Sequence, residues 1–128
     1  MVVGIIASVL AALAAVLHVW IFAMESISWR SPRVWRRFGV RDQQSAETLR
    51  PMAYNQGFYN LFLAIGALLG VTLFWAASPV AGLALVLFSL GSMVAAAIVL
   101  ATGGARYLRP AAVQGTLPLL AGIAFLFA

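Results

Sequence analysis

Two ionisable side chains interrupt an apolar stretch near the start of the chain, His18 and Glu25. A carboxyl group and an imidazole together can move a proton, the carboxyl as acid, base or nucleophile and the imidazole as relay. Nearly two helical turns separate them, so on an α-helix they share a face and lie about 10 Å apart along the axis. Further along, Asn55 and Tyr59 are neighbours at i, i+4, as are Gln56 and Asn60, and Gln114 stands in a later apolar run. Amides and a phenol could orient a substrate or stabilise charge developing on it. The rest of the inventory is bare. There is no Cys, hence no thiolate metal site and no cysteine nucleophile. One His without Cys cannot build a usual zinc site within one chain. No metal and no redox cofactor is expected.

The elements that position these residues must be membrane helices. Of 128 residues, 64% are hydrophobic and 9% charged, and the mean hydropathy is +1.03. A soluble domain carries about 25% charged residues, and a chain this small needs a largely polar surface. The composition excludes a soluble enzyme, a nucleic-acid binder and a disordered tail. The net charge of +5 is a local feature, because all eight basic residues are Arg and six of them lie between Arg30 and Arg50.

A helix crosses about 30 Å of hydrocarbon with about 20 apolar residues. Four runs suit that length, over residues 2–24, 53–76, 80–101 and 111–128. They show no apolar/polar alternation, which excludes a β-barrel. The first lacks the basic leader and small-residue cleavage site of a signal peptide and is expected to be a permanent helix. The expected fold is therefore all-α: one integral membrane domain, a four-helix transmembrane bundle. The connections 25–52 and 102–110 hold every Arg. By the positive-inside rule both are cytoplasmic and both termini lie outside the inner membrane.

Within the long connection, SPRVWRRFG predicts a short interfacial helix. Ser31 suits the cap, Pro32 the first position and Gly39 the exit. Val34, Trp35 and Phe38 would form one face and Arg33, Arg36 and Arg37 the other, as in a helix lying at anionic headgroups. Placed by depth, His18, Glu25, Asn55, Gln56, Tyr59, Asn60 and Gln114 all fall within about 10 Å of the cytoplasmic face. The outer half holds little beyond Ser8 and Thr72. Such one-sided clustering predicts a polar cavity open to the inner leaflet or cytoplasm. Read one at a time, the amides also serve as packing glue between helices, and Gly66, Gly70, Gly82 and Gly91 as close-packing surfaces. The Gly-rich third span is a candidate homodimer face.

The pattern His18-x6-Glu25-Ser26-x2-Trp29, Phe38-Gly39, Asn55-Gln56-Gly57-x-Tyr59-Asn60 and Gln114-Gly115-x2-Pro118 runs through nearly the whole chain. It resembles the family of small integral membrane proteins known as domain of unknown function 1304 (DUF1304). One departure is Ser26, where the family pattern has a larger apolar residue. The resemblance implies four helices and the same polar set, and carries no reaction with it.

Three functions fit the cluster. The first is a membrane-embedded acid–base enzyme, of isomerase, epoxide-opening or cyclase type, acting on a lipophilic small molecule. Here Glu25 and His18 would be catalytic, and Asn55, Gln56, Tyr59, Asn60 and Gln114 would bind substrate. The second is a non-catalytic accessory, scaffold or lipid-binding protein, in which the cluster holds helices or a partner. The third is a proton-coupled small transporter. Against the third stand the complete Arg bias and the position of Glu25 near the edge of the span rather than at the membrane centre. The partners expected are the bilayer and a lipophilic small molecule, and no nucleic acid.

Overall fold

A computed structural model describes residues 1–128, all helix and turn with no strand. Five α-helices follow in order: α1 Val2–Phe22, α2 Pro32–Arg37, α3 Gln43–Ala76, α4 Pro79–Ala101 and α5 Leu108–Phe125. A single π-helical turn, Ala23–Ile27, prolongs α1, and a 3-10 turn, Ala105–Tyr107, leads into α5. Three helical segments are long and apolar enough to cross a membrane: Val2–Ile27, Gln43–Ala76 and Pro79–Ala101. α5 has 18 residues, among them Arg109, Gln114 and Thr116, and does not join that set.

Three of the runs depart from the bounds read in the sequence, and α5 covers Leu108–Phe125 rather than 111–128. The first span continues through the π turn to Ile27 rather than ending at residue 24. The second long apolar segment, α3, begins at Gln43, ten residues before the apolar run at 53. Its early start has a local cause. Asp42 stands just before the helix, and its Oδ1 accepts the Ser45 backbone N–H at 2.7 Å, while its carbonyl accepts the Ala46 N–H at 3.1 Å. That is an N-cap, and the residues after it, Gln43 to Arg50, are mostly ready helix formers. Polarity decides where lipid can surround a helix; capping and propensity decide where it starts. Pro51 lies inside α3, where it removes one backbone donor.

The hydrogen bonds from Ser45 hold the Asp42 carboxyl below its ordinary range. A group whose folded value is depressed contributes stability above its unfolded value, about 3.8 here, and loses it as pH falls through the folded value. The first turn of α3 is therefore expected to fray only in acid. In an NMR pH titration, the Ser45 amide shift should move with a midpoint below 3.8; a midpoint at or above it would show that the cap is absent.

The chain divides into two compact units. Residues 1–17 and 63–128 form one, residues 18–62 the other. In the first, four helices supply one apolar core. Ala7, Ala11, Ala14 and Ala15 come from α1, Ala64 and Ala67 from α3, Val86, Leu90 and Met93 from α4, and Ala121 and Phe125 from α5. Small residues dominate because helices without a hydrophobic driving force between them associate by close backbone approach. At Gly70 an added Cβ would stand 2.5 Å from the Val86 backbone nitrogen, and at Gly82 it would collide with the backbone of Phe74. Gly82 is thus used inside the chain and is not free for a dimer face; Gly91 has nothing within 4 Å. Ser92 and Thr102 donate to the Phe88 and Val99 carbonyls of their own helix, as their type favours. Ser8 in α1 accepts the Trp75 indole N–H at 2.9 Å and ties two helices together.

The second unit has its own small core of Trp29, Trp35, Ala46 and Ala53, with Val34, Phe38 and Val40 against it. Ser31 occupies the N-cap of α2 but makes no side-chain cap bond, and Pro32 is at the first position as expected. Gly39 ends the helix at φ 80°, with its N–H on Arg36 C=O and the Val40 N–H on Trp35 C=O. This is a Schellman exit, for which glycine is the least strained choice. Trp35 is 3% exposed. The apolar face of α2 is therefore covered by the protein itself, and Arg36 and Arg37 lie over the rings of Trp35 and Trp20 at 5.3 and 5.4 Å.

Candidate functional site

Glu25 sits in the π turn. Such a turn widens the helix by one residue, closing Ser28 N–H onto Ala23 C=O at 2.9 Å, and π turns of this kind occur often at functional sites. It also alters the helical register beyond Phe22, so the shared face inferred for His18 and Glu25 from α-helical spacing does not carry through residue 25 unchanged. Both side chains are nonetheless buried, at 2% and 7% exposure.

The Glu25 carboxyl group is held from α3. Asn60 donates through Nδ2 to Glu25 Oε1 at 2.9 Å and, through the same amide group, to the Gln56 backbone carbonyl at 3.1 Å. With its NH2 group engaged twice, the Asn60 amide has a fixed orientation. A buried carboxyl group needs such a partner, because burial without a hydrogen bond is costly. Next to Glu25, Ser26 donates its hydroxyl to the Tyr54 backbone carbonyl at 2.7 Å. Gly57 makes this approach feasible, since a Cβ there would collide with Ser26 Oγ. A larger apolar residue at 26 would lose this hydrogen bond. Phe22 packs edge-on against Phe58 at 5.1 Å, and Phe58 lies 5.0 Å from Tyr54. Trp29 donates its indole N–H to Ala46 C=O at 2.8 Å.

Glu25 lines an open cleft of about 320 Å³ together with Trp29, Leu49, Met52, Ala53, Asn55 and Gln56. Of the residues singled out in the sequence, Glu25, Asn60, Asn55 and Gln56 therefore come together. Tyr59 does not join them; it is 58% exposed. Gln114 is half-buried on α5 and belongs to the other unit. Leu49, Met52 and Ala53 were missed. They lie at i, i+3 and i+4, with Gln56 at i+7, on one face of α3. That signal is present in the sequence, but Leu49 and Met52 fall in the segment read as a connection, and Ala53 is the first residue of the apolar run read as the second span. No three His, Asp or Glu side chains are grouped as metal ligands.

Fold and site together define a class: an all-helical protein with three helices apolar enough to cross a membrane and a buried, amide-held carboxyl group beside a cleft. Residues 12–126 match the family model described as "Protein of unknown function (DUF1304)", and the chain belongs to that family. No curated protein and no solved structure matches it.

Proposed function

We propose that the protein is a four-span membrane enzyme using Glu25 for acid–base chemistry on a lipophilic small molecule. The observation that carries the reading is Glu25, a residue only 7% exposed that lines an open cleft and whose carboxyl group is held by Asn60 at 2.9 Å. An ionisable group in a membrane helix is expensive and by default functional. Glu25 donates and accepts the proton, His18 relays it, Asn55 and Gln56 orient the substrate, and Asn60, read as a substrate ligand in the sequence, instead positions the Glu25 carboxyl group. Tyr59, which is not part of the cleft lining, and Gln114, which belongs to the other unit, carry no assigned part in the reaction.

In this reading α5 is the fourth span, the Arg-bearing connections are cytoplasmic and α2 lies at the inner headgroups with its arginines outward. The chain has no Cys, so the topology is directly testable. Arg41→Cys should react with an impermeant maleimide only in inverted vesicles and Ala128→Cys only in intact cells; the opposite pattern reverses the orientation.

The function is tested with the protein in nanodiscs of host lipid in D2O, followed by mass spectrometry of the extracted lipophilic fraction. Wild-type protein should add deuterium to, or convert, at least one species, and Glu25→Gln should not. No change with wild-type protein, or the same change with Glu25→Gln, removes the acid–base assignment.

A further inference from the structure

Six arginines lie between residues 30 and 50, yet none lines the Glu25 cleft. The lining holds one ionisable group, Glu25, and two amides, Asn55 and Gln56, against ring and aliphatic surface from Trp29, Leu49 and Met52. We propose that the cleft binds a single-chain amphiphile with an amine head group. The inference rests on the reading of this cleft as the ligand site and names the chemistry of the ligand.

An anionic head would meet a carboxyl group and no cation, so its charge would be desolvated without a partner. A neutral hydroxyl would gain an ordinary hydrogen bond, and an ammonium a charge-assisted one, about twice as strong. The carboxyl group has capacity for it, because Asn60 supplies one hydrogen bond to Oε1 and a carboxylate accepts about four. Trp29 points to the same choice. Its indole N–H is already given to Ala46 C=O, so although Trp29 borders the cleft it has no donor left for an anionic head. For the tail, Leu49 is 39% and Met52 70% exposed, an apolar strip leading out of the cleft along one face of α3. A volume of about 320 Å³ suits a head group and a short chain segment rather than a two-chain lipid. The other cleft of this unit, lined by Glu47, Arg50, Pro51 and Tyr54, carries one charge of each sign and has no such preference.

The test uses full-length protein in zwitterionic nanodiscs at pH 7, titrated with octylamine, octanol or octanoate while the side-chain amide resonances of Asn55, Gln56 and Asn60 are followed by NMR. Octylamine should shift them saturably, with an affinity about tenfold or more above that of octanoate, the ratio one hydrogen bond to a charged group provides. Glu25→Gln should erase the preference. Asn55→Asp, which adds a second carboxylate to the lining, should strengthen it and keeps the test open if Glu25→Gln does not fold. Equal or tighter binding of octanoate overturns the proposal, as does a preference that survives Glu25→Gln. Amine selectivity without deuterium exchange would keep this inference and remove the acid–base role; exchange without amine selectivity would do the reverse.

Discussion

Glu25→Gln is expected to reduce turnover by about 10²–10⁴-fold, the contribution of one positioned acid or base, while the protein keeps its fold. The two side chains are nearly isosteric. The substituted amide would still present an oxygen to Asn60 Nδ2, which donates to Glu25 Oε1 at 2.9 Å in the native chain. It would also spare the cost of burying a charge. Stability should therefore stay level or rise. Asn60→Leu makes the complementary case. It removes the donor and leaves a buried carboxyl group unsatisfied, so it should destabilise by about 1–3 kcal/mol as well as impair activity. Thermal unfolding in detergent read alongside deuterium exchange separates the two variants. If Glu25→Gln unfolds as readily as Asn60→Leu, the carboxyl group is a structural tie rather than a chemical one.

The second large effect is expected at Gly82. Its added Cβ would meet the Phe74 backbone and stand 2.7 Å from Gly70 O, and backbone cannot swing aside as a flexible side chain can. Gly82→Ala should force α3 and α4 apart and cost about 1–3 kcal/mol through overpacking. Gly91→Ala in the same helix, with nothing within 4 Å, should be neutral or stabilising by up to about 1 kcal/mol through helix propensity. Comparing the two melting temperatures tests the packing directly, because the substitution and the helix are the same and only the neighbour differs. Equal melting temperatures would mean that α3 and α4 do not approach closely at Gly82.

Much of the fold is legible in the sequence because the bilayer imposes a length. α4 appears within one residue of its expected start, bounded by Ser78, whose Oγ accepts the Ala81 N–H, and by Pro79. The exit of α2 at Gly39 is equally legible, since few residues other than glycine adopt φ 80° at low cost. The start of α3 is not, because hydropathy reports where a helix meets lipid and says nothing of a polar helical extension. That one misplacement hid Leu49 and Met52.

By itself the sequence determined the all-helical class, the pairing of Glu25 with an amide-rich segment and the absence of thiol chemistry. Composition and helical length suffice for these, since apolar runs in lipid must satisfy their own backbone. Only the tertiary structure decided which amide reaches the carboxyl group. Asn55, Gln56, Tyr59 and Asn60 are equivalent as sequence signals, but a helix points neighbouring residues about 100° apart. The π turn at Glu25 and the close approach of Ser26 to Gly57 fix which of those directions faces Glu25. Asn60 therefore holds the carboxyl group and Asn55 and Gln56 line the cleft, while Tyr59, one turn on from Asn55, is exposed and is not part of the lining.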